Sequence, residues 1–389
     1  MSLVKAIFLT LKLFEISLMF LCGKQMQSSK SKYWHWGLVA VFSFACVEGL
    51  RFGRLIDWNV YYFRYVNIGE NFLSESYEPV FKILCYAFYN MGFPYWLFIF
   101  CQCFFFFFCV VHFVKRYRNS AMFILPVAVI VSSNIEQFIR WYLSISFVLL
   151  SFSYCLDGKK IKTLLFMALG VFSHYGTVLF IPFLLLYKKM NGIKIPELFL
   201  VGAYCCFSFV LSLADLAFIG DFTNYLYMAG LNDDKYGMYL LKTQTLMMGD
   251  GRLGYFSQSL FFNIKRFLTF MPFILLGRNV MKNYNYGLFV YYLAALGIII
   301  TPVFTVVELF DRYANFFNFF SCIVAGVVYS KILLSKKSFR SWKFFFCIIS
   351  FALMLYTPFA NIMSRTVDES MLFIWDAAGR HTLPLILRW

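Results

Sequence analysis

The chain has 389 residues, of which 61% are hydrophobic and only 14% charged, and its formal net charge is +16. Soluble domains carry about 25% charged residues, so a soluble enzyme is excluded; repeated apolar runs of about 20 residues mark a polytopic helical membrane protein. The positive charge could suit nucleic acid, but it sits in short loops between apolar blocks, where it carries topology and no polyanion-binding patch.

In chain order, membrane spans are predicted at 4–22, 34–50, 95–114, 120–134, 137–155, a long block at 161–187, then 196–218, 259–277, 286–307, 313–332 and 341–361. The fold class is an all-α polytopic membrane protein with about 11–12 transmembrane helices, in one integral membrane domain over 1–389. Lys12 and Glu15 interrupt the first apolar run and no small-residue cleavage site follows, so no cleavable signal peptide is expected. The eleven cysteines lie mostly inside apolar runs and no pair of them has metal-ligand spacing with a histidine partner, which makes them packing residues.

Short loops on the cytoplasmic side carry the excess of Lys and Arg. Lys24, Lys30 and Lys32 mark one such loop, and Lys115, Arg116 and Arg118 a second. Lys159, Lys160 and Lys162 follow, then Lys188, Lys189 and Lys194, then Arg278 and Lys282. The strongest group is Lys331, Lys336, Lys337, Arg340 and Lys343.

These positions share one side only if two segments depart from plain crossings. The piece near 79–93, made polar by Glu75, Glu78 and Lys82, must be interfacial or re-entrant. The block 161–187 must go out and come back as a broken or re-entrant pair, each half about a dozen residues, with Ser173-His174-Tyr175-Gly176 at its tip. Both termini, 51–94, 136–140, the 173–176 tip, 308–312 and the loop 219–258 then share the non-cytoplasmic side. That loop is not positively biased and is long enough to act as a lid.

The polar passage 51–82 is the chain's most chemistry-rich stretch. If its first part is helical, Arg51, Arg54, Asp57 and Tyr61 recur at spacings of three and four and share one face beside Trp58. Such a face suits a phosphorylated, sugar-bearing ligand; equally, its arginines would anchor a solvated loop at the headgroup boundary. Ionisable residues in or near spans are costly and usually functional, which adds Glu78, Arg140, His174, Lys265, Arg266 and Arg312. Each has a plainer reading. Arg140 would snorkel or pair with Glu136 one turn earlier, and Arg312 would pair with Glu308 or Asp311. Lys265 and Arg266 would either meet a phosphate in a cavity or snorkel, and His174 would be a satisfied structural histidine. His35, His112 and His381 are scattered and support no metal site. No P-loop, GxGxxG or Ser-His-Asp order is present, and no internal repeat of the transporter kind is visible.

LRFGRLIDWNVYYFRY followed by YEPVFKILCYAF resembles the signature of EpsG-like, Wzy-type polysaccharide polymerases. EQFIRWYLSISFVLLSFSYC, with the SHYG turn that follows, resembles that family's next block, and ELFDRYANFF its later Arg-Ile-x-x-Tyr-Phe segment. Together these motifs cover most of 40–190 and a short piece near 305–320. Two positions depart from the family pattern: Trp141 stands where Gln is frequent, and Asp57 lacks a preceding Gly-Thr.

The resemblance implies a glycosyltransferase that moves a growing glycan from its undecaprenyl pyrophosphate carrier onto a new lipid-linked repeat unit. It places that reaction at the periplasmic face of the bacterial inner membrane. Donor and acceptor are then both lipid-linked oligosaccharides in the bilayer, with a chain-length-regulating membrane protein as an open partner and no nucleic acid. Arginines would stabilise the diphosphate leaving group, and Asp57, Glu78 or His174 would serve as base. Tyr61 and Tyr175, like Trp58 and Trp141, would offer ring faces to sugars. The scheme requires no cofactor or metal. A flippase of lipid-linked oligosaccharide and an O-antigen ligase are the competing readings.

Overall fold

The computed structural model describes residues 2–211, 260–304, 308–335, 341–366 and 368–377, and the proposed lid at 219–258 lies outside them. Every described element is helical apart from one isolated bridge between Arg51 and Phe373. Seven described helices are long and apolar enough to cross a membrane, so the chain is an all-α polytopic membrane protein. One shorter apolar helix among the described residues, Glu197–Val210, covers part of the predicted span at 196–218.

Helix α1 (Leu3–Ser28) opens the bundle, capped by the Ser2 hydroxyl, which accepts the Lys5 N–H. Helix α2 (Tyr33–Phe44) returns beside it and widens into a π-turn at Ala45–Gly49. Then come two shorter helices, α3 (Leu55–Glu70) and α4 (Pro79–Asn90). At twelve residues α4 is about 18 Å long, too short for a hydrocarbon core of about 30 Å. That agrees with an interfacial or re-entrant piece.

Helix α5 (Tyr95–Val114) and α6 (Ala121–Val131) read along the chain as one apolar run, but the chain reverses between them at Tyr117, whose φ is −111° and ψ 26°. The Tyr33 hydroxyl donates to the Val111 carbonyl at the far end of α5. Gly23, near the same end of α1, meets the start of α6 at Ala121. Helix α7 (Ile139–Leu156) is the most enclosed of the spans.

The 161–187 block is a hairpin of half-length helices, α8 (Lys160–Ser173) and α9 (Ile181–Gly192), joined by a 3-10 turn at Tyr175–Phe180. Contacts with α7 trace its course. Ser151 Oγ donates to the Thr163 carbonyl near one end, and Ser144 Oγ donates to Gly170 O and to Thr177 Oγ1 near the other. Cys155 Sγ then meets the Leu184 carbonyl as α9 comes back. The break is at His174, extended at φ −161° and ψ 111°. The polar groups of this irregular backbone find partners within the protein, with His174, Thr177 and Phe180 buried and Tyr175, Val178 and Leu179 exposed.

Helix α10 (Glu197–Cys205) is followed by α11 (Leu260–Met281), α12 (Gly287–Phe304), α13 (Glu308–Leu333) and α14 (Trp342–Ser364). The centre is packed by aromatic and branched side chains of α5, α6, α7, α12 and α13. Gly326 in α13 lets α6 approach: a Cβ there would lie 2.7 Å from Ile124 N and 2.8 Å from its Cα. Large apolar side chains such as Ile161, Leu164 and Leu185 point outward, as a lipid-facing surface requires.

The described basic residues of the predicted loop groups gather at one end of the bundle. Arg116 pairs with Asp157, Arg278 with Glu197, and Ser330 reaches the Asn119 carbonyl. The opposite end holds 51–94, 132–140, the His174 break, the start of α13 and the segment after α14. Among the described residues, the loop groups and the polar segments thus lie at opposite ends of the bundle, as the parity argument expects.

Candidate functional site

At that opposite end the predicted site residues fall into two groups. The first is built on Glu78. Its backbone is extended (φ −62°, ψ 144°) because Pro79 occupies the first position of α4, where a missing N–H costs nothing and the preceding residue is driven out of helical space. The Glu78 carboxylate accepts from Arg140 Nη1 at 2.5 Å through one oxygen and from the Tyr175 N–H at 3.4 Å through the other. Glu78 is 3% exposed and Arg140 7%. The guanidinium also lies over the Tyr77 ring, 4.6 Å from its centroid. The pair thus ties α4, the first turn of α7 and the helix break together, although the partners are 62 residues apart.

Arg140 does not pair with Glu136. Residues Ser132–Glu136 form a 3-10 turn and α7 begins only at Ile139, so the one-turn spacing on which that expectation rested does not exist.

His174 is packed edge-on against Trp141, with ring centroids 5.0 Å apart. Its Nδ1 accepts the Gly176 N–H at 3.2 Å, capping the 3-10 turn. An accepting Nδ1 puts the proton of the neutral ring on Nε2. Tyr313 closes the group from α13: its hydroxyl donates to the Gly176 carbonyl at 3.2 Å and its ring meets Trp141. One residue earlier, the Arg312 guanidinium lies 5.2 Å from the Phe138 ring centroid. Asp57 and Tyr61 sit one turn apart on α3, and Tyr61 packs on Tyr77 and Phe81. Burial pushes the Tyr61 phenol up, Arg140 and Arg312 pull against that rise, and the Asp57 carboxylate adds to it. Asp57, Tyr61, Glu78, Arg140, His174, Tyr175 and Arg312 therefore share one neighbourhood drawn from five segments of the chain.

Arg51 and Arg54 do not share the α3 face with Asp57 and Tyr61. Gly53 takes φ 60°, a left-handed turn that ends any helix through them, and Arg54 is extended ahead of Leu55. Both are fully buried. Arg51 donates to the carbonyls of Glu48 and Ile135, and its own carbonyl accepts the Trp58 indole N–H. Arg54 donates to Leu372 O at 2.7 Å and to Glu136 at 2.8 Å, between the rings of Phe8 and Phe373. Burial draws the Arg54 guanidinium down to about 10 against the pull of Glu136, so it stays charged at neutral pH. The second Glu136 oxygen accepts from Arg365 at 2.6 Å, and Lys12 pairs with Glu48 and Glu15. This network fastens the segment after α14 across α1 and the 51–54 turn, with Phe52 N–H donating to Leu372 O and Ile374 N–H to Leu50 O.

A pocket of about 100 Å³ beside Glu136 and Arg365 is far below the roughly 300 Å³ at which ligand pockets begin. The network's geometry is that of a clasp.

Lys265 and Arg266 diverge. The Lys265 ammonium lies 4.9 Å from the Tyr356 ring on α14, away from the Glu78 group. Arg266 packs over Phe262, and its carbonyl accepts the Tyr204 hydroxyl; its guanidinium lies within electrostatic reach of Asp311.

Tyr77, Tyr313 and Arg365 hold positions that residue type alone did not single out. The first two stand directly beside Glu78 and Arg312 in the motifs, and that adjacency was the available signal. Among the described residues no three His, Cys, Asp or Glu side chains gather as a metal-binding set.

No curated protein and no solved structure matches the chain. The EpsG family model matches residues 34–366, a stretch holding the whole Glu78–Arg140–His174–Arg312 neighbourhood. The chain therefore belongs to the EpsG family, a family of Wzy-like polymerases.

Proposed function

We propose that the chain is a polysaccharide polymerase that lengthens an O-antigen or exopolysaccharide by transferring the growing glycan from undecaprenyl pyrophosphate to a new lipid-linked repeat unit. The acceptor hydroxyl oxygen attacks the anomeric carbon of the donor. The bond from that carbon to the phosphate oxygen breaks, undecaprenyl pyrophosphate leaves, and the hydroxyl proton passes to a base. Neither a metal nor a cofactor enters this scheme.

The observation that carries the reading is that Arg140 and Arg312, 172 positions apart in the numbering, both act electrostatically on the Tyr61 phenol beside Asp57, while the rings that follow them, Trp141 and Tyr313, touch. Preorganised guanidiniums stabilise a diphosphate whose charge grows as the bond breaks; losing one such donor costs about 10²–10³ in rate. Glu78 holds Arg140 and the Tyr175 turn in place, which makes it a positioning residue in this scheme. With its Nδ1 accepting a backbone proton, His174 presents Nε2–H, a donor to developing charge. Asp57 is then the group placed to take the acceptor proton. The half-exposed Tyr175 ring and the Trp141 and Tyr61 rings provide apolar faces for sugars. Arg51 and Arg54, held in the clasp, serve this site by anchoring α3 and the 132–136 turn.

The lysine-rich end faces the cytoplasm in this reading, which puts the reaction at the periplasmic side of the bacterial inner membrane. A strain lacking the protein tests the assignment on a glycan gel. A product of one repeat unit supports the polymerase. Absence of surface glycan indicates a flippase and unattached polymer a ligase, and either would overturn it.

A further inference from the structure

At the end of the bundle away from Glu78 and Arg140, the loops after α1 and α5 enclose a second pocket, of about 390 Å³. Lys30, Lys115, Arg116 and Arg118 line it together with Trp34 and Tyr284. Arg116 is held by Asp157 and Ser153. Lys30, Lys115 and Arg118 meet no carboxylate within 4.0 Å among the described residues. Arg118 Nη1 is buried and has no hydrogen-bond partner in the protein, a costly state unless a ligand supplies an acceptor.

Three cations around one buried guanidinium donor call for an anion with several acceptor oxygens, and phosphate is the compact group that offers them. The volume falls within the roughly 300–1,000 Å³ of ligand pockets. The position decides the source. The Lys115 ammonium lies 5.7 Å from the Trp34 ring, and Trp34 in turn stacks on Phe108 at 5.5 Å. Half-buried Phe108 and Phe104, one turn apart on α5, continue that wall toward the middle of the bundle. A charged mouth with an aromatic collar and an apolar flank matches a headgroup with its acyl chains.

We propose that this pocket holds the phosphate of an anionic membrane-lipid headgroup, at the bundle end opposite the candidate polymerase site. Native mass spectrometry of the full chain in detergent, titrated with phosphatidylglycerol, phosphatidylcholine or inorganic phosphate, tests it. Phosphatidylglycerol is expected to bind at least about tenfold more tightly than the zwitterionic lipid, and Arg118→Gln or Lys115→Gln to weaken it about fivefold each. The exposed Lys30→Gln gives the same direction without disturbing buried structure. Lys160→Gln, an equal loss of charge at the exposed start of α8 outside the pocket, should change nothing. Binding of inorganic phosphate with no preference between the lipids would keep the phosphate chemistry but overturn the lipid source. Equal retention of both lipids by the wild type with no binding of inorganic phosphate, or unaltered retention by all pocket variants, would overturn the site itself.

Discussion

The clasp makes a prediction whose size follows from its geometry. Glu136 is 1% exposed, and its oxygens accept from Arg54 at 2.8 Å and Arg365 at 2.6 Å. Glu136→Gln keeps the shape but leaves two guanidiniums, one fully buried, without a counter-charge. Breaking a buried pair from one side costs about 3–5 kcal/mol, against at most about 1 kcal/mol for an exposed pair. Because the Gln carbonyl still accepts one hydrogen bond, the lower bound applies. About 3 kcal/mol raises the unfolded fraction on the order of 10²-fold. Reversible denaturation in mixed micelles, followed by tryptophan fluorescence, reads this; Trp58 reports locally because its indole donates to Arg51 O. Removing the stranded charge as well, in Glu136→Gln with Arg54→Gln, should recover at least about 1 kcal/mol.

The pH dependence is an independent check. Burial pushes the Glu136 carboxyl up, but Arg365, Arg54 and Lys12 outweigh it and hold it well below its usual 4.5. A depressed folded value stabilises the protein fully above the unfolded value and loses that stability as pH falls beneath it. Wild-type stability should therefore be insensitive to this group from pH 7 to 5, then fall below pH 4.5 by about 1.4 kcal/mol per unit. In Glu136→Gln that component should vanish. A variant within about 0.5 kcal/mol of wild type, with an unaltered acid limb, would refute the clasp.

Other outcomes follow from the same contacts. Arg140→Gln should lose stability, because buried Glu78 is left without its counter-charge, and the protein that still folds should extend glycan about 10²–10³-fold more slowly, measured as chain length on a glycan gel; a normal ladder would contradict its role. Arg54→Gln should lower the amount of folded protein, read by fluorescence-detected size exclusion. Gly326→Ala should destabilise by about 1–3 kcal/mol, because its methyl meets the Ile124 backbone at 2.7–2.8 Å. Thiols placed at Asp57 and Tyr175 should react with an impermeant reagent in intact spheroplasts while one at Asn119 should not; the reverse pattern would invert the proposed orientation.

Much of the fold was legible because membrane helices announce themselves. Apolar runs located the spans to within a few residues, and the side on which lysines must fall required 161–187 to double back, as α8 and α9 do. Lateral contacts carry no such local sign. Arg51 and Arg54 have spacings of three and four to Asp57, yet Gly53 and a bridge to residues 372–374 take them out of the helix. No periodicity marks a partner more than 300 residues away. Glu78 and Arg140 stood out singly as polar residues in an apolar chain, but their pairing depends on how α4 docks against α7. Lys265 looked equivalent to Arg266, and only the position of Tyr356 on α14 separates them.

The central claim, that Arg140 and Arg312 serve a diphosphate leaving group during glycan extension, is tested most directly by reconstitution. Purified protein in liposomes would be given undecaprenyl-pyrophosphate-linked repeat units and the products sized by gel. The account predicts glycans of two and more repeats with the wild type, released undecaprenyl pyrophosphate in step with each bond formed, and single repeats with Arg140→Gln or Arg312→Gln. Unextended substrate with folded wild-type protein, or equal extension by both variants, would contradict it.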